Sequence, residues 1–287
     1  GTDSQEKHPG VHYLYNNIHP WYLGGTIEGL HLPQHFDFTE LRLPPSETYR
    51  RFAQKGWRHI IGFHSEKPLH CAHKEMVLRA AREVGASIFL QAVVGVPRPG
   101  EVDYFTSVRC YQAFVQKFPK NIIDLGLLPL ASRKAGPRES LWQAIIRKNY
   151  GCSHFVVADD QADPWANEGC EERFYPRCQA QKLVEEYQSE IGITMVPLKS
   201  MVYVEDKAQY IPADSVTQDM SVKHISSAEL TRRLEFGLEI PEWFSFPEVV
   251  CELQKARPPR HKQGFTVFCT GLSGAGKSTL AKVLYVK

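Results

Sequence analysis

The chain has 287 residues, of which 43% are hydrophobic and 23% charged, and its net charge of +2 comes from interspersed charges of both signs. This composition excludes wholesale disorder and indicates neither a nucleic-acid nor a membrane surface, while the length suffices for one large domain or two ordinary ones. The lack of an apolar run of roughly 20 residues, the polar N-terminus and the seven scattered cysteines predict a soluble cytoplasmic protein with reduced thiols.

Strand and helix patterns alternate along most of the chain. Residues 1–46 show no sustained period and predict loops and short strands. Helices are predicted over 48–55, 68–85, 139–149 and 179–191, and strands over 59–63, 87–94, 122–130, 154–157, 193–196 and 201–204. This alternation predicts an α/β fold with a mostly parallel sheet, and such sheets bind ligands outside the carboxyl ends of their strands. We therefore expect the chemistry directly after Phe63, Leu130 and Val157.

The composition changes after residue 212. A short helix is predicted over 226–234, an aromatic turn over 241–247, a linker over 257–262, a strand over 265–269 and a helix over 280–286. The predicted divisions are an irregular N-terminal segment (1–46), an α/β domain (47–212), a small helical or linking subdomain (213–258) and the beginning of a second α/β domain (259–287).

A phosphate-binding pattern stands near the C-terminus. Residues 271–279 satisfy G-x-x-x-x-G-K-[ST], between a predicted strand and a predicted helix. Backbone N–H groups of such a loop close around phosphate oxygens, with Lys277 reaching the β- and γ-phosphates as a catalytic group and Ser278 holding Mg²⁺. The residues predicted to bind Mg-ATP here are Gly271, Leu272, Ser273, Gly274, Ala275, Gly276, Lys277, Ser278 and Thr279. About two helical turns follow the pattern, so we expect only the start of a kinase domain.

Several stretches carry a family resemblance. Residues 261–280 resemble the start of an adenylylsulfate (APS) kinase domain, and residues 8–259 resemble the catalytic part of ATP sulfurylase. The matching stretches are Leu-Pro-Leu at 128–130, Ala-Gly-Pro-Arg-Glu at 135–139, Ile-Ile-Arg-Lys-Asn-Tyr-Gly at 145–151, Met-Val-Tyr-Val-Glu-Asp at 201–206 and Ile-Pro-Glu-Trp-Phe at 240–244. This order is similar to that of the bifunctional enzymes of sulfate activation, with the family's usual N-terminal domain expected to be absent or shortened.

The resemblance implies a Rossmann-like nucleotidyltransferase domain followed by the start of a P-loop kinase domain. It implies that the sulfurylase part transfers AMP from Mg-ATP to sulfate, that the kinase part phosphorylates APS to PAPS, and that the protein is a homo-oligomer. His70 and His73 match the family's nucleotide-binding pair, and by the same resemblance Arg138 and Val202, the latter in a matching stretch, are predicted to bind the nucleotide. Arg133 and Arg138 follow another predicted strand and are candidates for phosphate contacts, with Arg133 in a catalytic role.

Three segments depart from the family pattern at its anion-binding site. The family's Gln-x-Arg-Asn is His-Ser-Glu-Lys at 64–67, and its Gly-Arg-Asp-His-Ala-Gly is Ala-Asp-Asp-Gln-Ala-Asp at 158–163. The third motif, Ile-Ser-Gly-Thr, is Ile-Ser-Ser-Ala at 225–228. Because all three changes fall at the site while the scaffold matches, the sequence predicts an altered function of this pocket.

The altered residues reverse the charge expected at a sulfate site. Glu66 and Asp159 stand where arginines are expected. A carboxylate in place of a guanidinium at ~4 Å from a dianion turns an attraction into a repulsion, a difference of several kcal/mol. The ammonium group of the neighbouring Lys67 cannot reproduce the paired hydrogen bonds that a planar guanidinium donates to an oxyanion. The residues interpreted as a degenerate sulfate pocket are His64, Ser65, Glu66, Lys67, Asp159, Gln161 and Ala162.

The main hypothesis from the sequence is therefore APS phosphorylation, with the sulfurylase-like part weak or inactive and acting as a scaffold. One alternative is a fully bifunctional enzyme that also makes APS and pyrophosphate from ATP and sulfate. A second is a non-catalytic nucleotide-sensing domain that regulates the kinase. A cationic or neutral substrate, or a metal site, remains open at the altered pocket, the candidate ligands being His64, Glu66, His70, Cys71 and His73.

Overall fold

A computed structural model describes residues 8–31, 33–65, 67–95, 102–165, 173–264 and 266–286. The helices are α1 (Pro9–Asn16), α2 (Pro45–Gln54), α3 (Cys71–Glu83), α4 (Tyr104–Val115), α5 (Gly136–Asn149), α6 (Gln179–Ile191), α7 (Ser227–Phe236), α8 (Pro247–Ala256) and α9 (Lys277–Val286). The strands are β1 (Ile60–Phe63), β2 (Ser87–Val94), β3 (Ile123–Pro129), β4 (His154–Val157), β5 (Thr194–Pro197), β6 (Met201–Val204), β7 (Gln209–Pro212) and β8 (Val222–Lys223). Within these residues, no helix is both long and apolar enough to cross a membrane.

Five parallel strands form the central sheet in the order β3-β2-β1-β4-β5. The chain builds outward from β1 to β3 and then returns to add β4 and β5 on the other side of β1. The topological switch point therefore lies between β1 and β4, and sheets of this kind bind ligands at the carboxyl ends of the strands near such a point. The predicted α/β fold with a parallel sheet is confirmed.

Helices cover both faces of this sheet, and the side chains of β1 alternate between them. Ile61 and Phe63 belong to the core under α3, α4 and α8, whereas Ile60 belongs to the core under α2, α5 and α6. Gly62 also lies on the α5 face, because a Cβ there would come within 2.8 Å of the Arg147 Cγ. This alternation decides which residues can meet at the end of β1.

A small antiparallel sheet, in the order β7-β6-β8, joins residues on both sides of position 212. Val249 and Leu253 of α8 are buried in the same core as α3 and α4. The predicted division at residue 212 stays a prediction, but the residues on its two sides share one sheet and one core.

Several elements differ from the sequence prediction. Residues 9–16 form α1 instead of loops, because Pro9 favours a first helical turn and the His8 side chain accepts the Gly10 N–H at 3.0 Å. Helices α4 and α8 and strands β7 and β8 were not predicted. The predicted strand 265–269 is wrong where it is described: residues 266–269 form no strand, and a strand needs a partner for its backbone N–H and C=O groups. Phe265 lies outside the described residues.

Candidate active site

A cleft of about 700 Å³ lies beside the carboxyl end of β1. Lys67, His70 and His73 line it from the β1–α3 connection, and Val202 lines it from β6. Further basic residues on its wall are Lys223, His224 and Arg257. Among the described residues that line the cleft, Asp103 supplies the only carboxylate, so the wall is suited to a ligand with negative charge.

Backbone and side-chain contacts hold the two cleft histidines in place. The His70 N–H donates to His73 Nδ1 at 3.0 Å, at the point where α3 begins. His70 Nδ1 lies 2.8 Å from the Ser245 hydroxyl, and its ring is 4.6 Å from that of Phe244. Since Nδ1 of a neutral His73 is an acceptor, its proton is on Nε2, which is then a hydrogen-bond donor.

Burial keeps His70 neutral. Desolvation, followed by the neighbouring His73, lowers the pKa of His70 to about 3. The ring therefore acts near neutral pH as an uncharged hydrogen-bonding group rather than as a cation.

Aromatic side chains form another part of the cleft wall. Trp243 stacks on Tyr203 with ring centroids 4.9 Å apart, and the Tyr210 hydroxyl donates to the Trp243 carbonyl at 2.6 Å. Trp243 and Phe244 line the cleft, whereas Phe246 packs beside Phe114 in the core. The sequence predicted only an aromatic turn at 241–247, and no sequence signal placed two of its residues at the ligand cleft.

His64 follows β1 directly but lies on the α5 side of the sheet. Its ring stacks on Phe155 at a centroid distance of 6.2 Å, and its Nε2 is 3.2 Å from Gln161 Nε2. Gln161 donates in turn to Gln143 Oε1 at 3.0 Å, and Gln143 donates to Glu139 Oε1 at 3.1 Å. We call His64, Gln161, Gln143 and Glu139 the glutamine chain. It lies apart from the cleft, with His64, Gln143 and Glu139 buried and Gln161 half-buried.

Glu139 anchors the glutamine chain to the β3–α5 loop. Its buried carboxylate accepts the Ser132 hydroxyl at 2.6 Å and the N–H groups of Arg133 and Ala135, both at 3.0 Å. Sequence reasoning used Glu139 only as part of a matching stretch and missed Gln143. Nothing in the local pattern indicates that either residue connects two loops.

The remaining residues of the predicted sulfate pocket are dispersed. Asp159 pairs with Arg177 at 3.5 Å, so a guanidinium stands beside this carboxylate. Ala162 adopts a left-handed backbone (φ 56°), and its carbonyl accepts the Gly136 N–H at 3.1 Å. Ser65 exchanges two hydrogen bonds with the Tyr111 hydroxyl. Glu66 lies outside the described residues.

Arg133 and Arg138 line a second pocket of about 560 Å³, between α1 and the N-terminal parts of α5 and α6. The Arg133 guanidinium lies 4.7 Å from the centre of the Tyr13 ring, a cation–π distance. Neither arginine is among the residues that line the cleft. The structure therefore separates both predicted phosphate ligands from His70 and His73.

The phosphate-binding pattern forms an exposed loop that leads into α9. Gly271, Gly274 and Gly276 have positive φ angles of 147°, 80° and 77°, which suit glycine. Lys277 Nζ donates to the carbonyls of Gly271 and Leu272 at 2.8 and 2.6 Å. Ser278 and Thr279 lie in the first turn of α9, so the hydroxyl that the pattern assigns to Mg²⁺ stands where the loop meets the helix.

The proposed metal cluster is not assembled in the part of the chain that the structure describes. No group of three histidine, cysteine or acidic side chains is placed there to hold a metal ion. His64 contacts Gln161 on the α5 side, whereas His70 contacts Ser245 at the cleft.

Comparisons with known proteins agree with this architecture. The ATP-sulfurylase family model matches residues 39–256. A sulfate adenylyltransferase from Yarrowia lipolytica is 47% identical over 98% of this chain and 49% of its own length, and one from Chaetomium globosum is 46% identical over the same shares. A solved hexameric APS kinase from Thiobacillus denitrificans has a TM-score of 0.77 and 38% identity, covering 93% of this chain and 51% of that one. The chain spans about half the length of the curated relatives it matches.

Proposed function

The chain belongs to the ATP-sulfurylase family, and from that premise we propose that it adenylylates sulfate, transferring AMP from Mg-ATP to give APS and pyrophosphate. The observation that carries this proposal is the basic cleft at the end of β1, which contains His70 and His73. The names of the curated relatives support the same reaction. They favour the bifunctional alternative over a kinase built on an inactive sulfurylase.

The cleft offers the groups that this reaction needs. A sulfate oxygen attacks the α-phosphorus of ATP, a new O–P bond forms, and the bond to the β-phosphate oxygen breaks as pyrophosphate leaves. Donors aimed at oxygens whose negative charge increases stabilise the transition state. His73 Nε2–H is such a donor, while Lys67 and Lys223 on the same wall add positive charge for the triphosphate.

The altered anion pocket is compatible with retained activity. Asp159 replaces an arginine of the family pattern, but its pairing with Arg177 places a guanidinium beside the carboxylate and offsets its charge. Gln161 is committed to a hydrogen bond with Gln143 rather than turned toward the cleft. In this proposal sulfate is bound by groups other than those of the family pattern.

A second function, phosphorylation of APS with Mg-ATP as donor, is favoured by the loop at 271–279. The glycine backbone, Lys277 and Ser278 have the arrangement that phosphate binding uses. The similarity to an APS kinase structure supports this proposal, and the hexameric state of that relative supports the expectation of a homo-oligomer.

The test measures ATP formation from APS and pyrophosphate by the full-length protein, together with PAPS formation from APS and ATP. We expect His73→Asn to lower the rate of ATP formation about 100-fold, because Asn can still accept the His70 N–H but offers no donor at the Nε2 position. The unfolding midpoint should stay unchanged. The control His12→Asn alters an exposed histidine and should leave both rates intact.

Two outcomes would contradict this proposal, one for the reaction and one for the role of His73. Absence of ATP formation by the wild-type protein alongside PAPS formation would overturn sulfate adenylylation and restore the scaffold hypothesis. Equal rates for His73→Asn and the wild type would remove the assigned role of His73.

A further inference from the structure

Three buried side chains on the α5 face of the sheet have polar atoms without hydrogen-bond partners. Arg147 is 0% exposed, and none of its three nitrogens has a partner. The same holds for both amide atoms of Gln91, also 0% exposed, and for Nδ1 of His64. Buried polar groups are almost always hydrogen-bonded, so a group of such exceptions indicates a bound water or ion.

The three side chains converge on one place. The Arg147 guanidinium carbon lies 5.4 Å from the centre of the Phe155 ring, on which His64 also stacks. The parallel register pairs Phe63 with Leu90, which places the next residues along the two strands, His64 and Gln91, side by side. Alternation sends both side chains to the face that carries Arg147, whose Cγ packs against Gly62.

The hydrogen-bond chain fixes which atoms at this place are donors. Glu139 accepts from Gln143, which therefore presents its oxygen to the amide N–H of Gln161. The Gln161 oxygen accepts the Ala158 N–H at 3.2 Å, so the group facing His64 Nε2 is an NH₂ donor. His64 Nε2 is then an acceptor, and the neutral ring carries its proton on the unpartnered Nδ1. Apart from the Gln91 oxygen, every unpartnered atom of the three is a donor.

The three converging side chains together carry one positive charge, that of Arg147. Burial lowers the pKa of Arg147 to about 10, which still leaves it charged near neutral pH. Burial, with Arg147 and Lys134, lowers the pKa of His64 well below its ordinary value, so that ring is neutral. The groups that act electrostatically on Arg147 are Cys152, Tyr111 and Tyr150, with no carboxylate among the described residues. A buried charge without a partner is costly.

We propose that a small monovalent inorganic anion, of the size of chloride or bromide, binds between Arg147, Gln91 and His64. One negative charge balances the single guanidinium, and the donors of all three side chains complete its shell. A divalent oxyanion would leave an excess negative charge in a fully buried site. The site lies on the opposite face of the sheet from the cleft and is independent of the proposed function.

The decisive experiment is a bromide derivative of wild-type crystals. We expect an anomalous difference peak within contact distance of the Arg147 guanidinium, the Gln91 amide and His64 Nδ1. Density for water or for a side chain at that place, without anomalous signal, would overturn the proposal. This result does not depend on whether any variant folds.

A solution experiment uses thermal unfolding at constant ionic strength, with gluconate replaced by chloride. We expect the wild-type midpoint to rise saturably with chloride, because a ligand that binds the folded state stabilises it. Arg147→Met should abolish this rise, whereas the control Arg79→Met, which removes a more exposed guanidinium, should retain it. A rise with sulfate but not with chloride, or an equal chloride response in Arg147→Met, would contradict the assignment.

Discussion

The two faces of the sheet at the end of β1 use similar residues in different ways. On the cleft side, His70 and His73 line an open space of about 700 Å³ among lysines and aromatic rings. On the α5 side, His64 and Arg147 are enclosed by packed side chains. From the sequence, His64, His70 and His73 were grouped as candidate ligands of one metal site, since they are only a few residues apart. The face of the sheet to which a side chain points, rather than its position along the chain, decides whether it lies in the cleft or on the α5 side.

The connection after β1 produces this separation. His64 continues the alternation of the strand and points to the α5 face, where Phe155 and Gln161 hold it. The chain then passes Pro68 and begins α3 on the opposite face, where the His70 N–H binds His73. We expect changes on the α5 side to reduce stability and changes in the cleft to reduce the reaction rate.

The largest expected effect on the α5 side is that of Glu139→Ala. Removing the carboxylate breaks four hydrogen bonds, which come from Ser132, Arg133, Ala135 and the buried Gln143, and each contributes roughly 1 kcal/mol, more where the donor left behind is buried. We expect the free energy of unfolding, measured in urea, to fall by about 4 kcal/mol. A stable variant with a strongly reduced rate would instead place Glu139 with the cleft.

A smaller loss is expected for Gly62→Ala. The new Cβ would lie 2.8 Å from Arg147 Cγ and 3.1 Å from Cys152 Sγ, both of them buried, so the packing between β1 and α5 must shift. Overpacking of this kind costs about 1–3 kcal/mol, which urea denaturation can detect. Gly24→Ala is the matched control, since nothing lies within 4 Å of a Cβ at that position. Equal stability of the two variants would show that the α5 side is loosely packed.

A further expected effect is a dependence of stability on pH, to which His70 on one face and His64 on the other both contribute. The pKa of His70 is lowered to about 3 and that of His64 is also lowered, whereas an unfolded histidine titrates near pH 6.5. Below about pH 6.5 the unfolded chain binds protons that the folded protein does not. Stability is therefore full above that pH and falls as the pH decreases, by at most about 1.4 kcal/mol per pH unit for each histidine.

Denaturation at about pH 7 and about pH 5 measures this loss. His70→Gln and His64→Gln should each make the dependence shallower, and His12→Asn should not. A profile that is unchanged in His70→Gln would mean that water in the cleft solvates His70 enough to restore its ordinary pKa.

Much of the fold could be predicted from the sequence. The apolar run at 87–94 forms the predicted strand and the helical period at 179–191 forms the predicted helix, because the local sequence pattern determines both. The elements that the sequence did not predict correctly depend on partners that are distant in the chain. Strand β8 is two residues long and exists only because it pairs with β6. Residues 266–269 have a strand composition but no described strand beside them.

The site was predictable to a smaller extent. The spacing of His70 and His73 and the loop at 271–279 could be identified from the sequence, because their residues are close neighbours in the chain. Ser245, which contacts His70, is 175 positions away from it, and Gln161 is 97 positions from His64. No local pattern contains such contacts.

The sequence by itself determined the alternation of strands and helices, the phosphate-binding loop and the histidine pair, since each is set by residues within a few turns of one another. Only the tertiary structure decided that His64 and His70 belong to opposite faces of the sheet, that Trp243 lines the cleft and that Arg147 is buried without a counter-charge among the described residues. Those outcomes follow from strand register and helix packing, which bring together residues about a hundred positions apart and fix how each side chain is solvated.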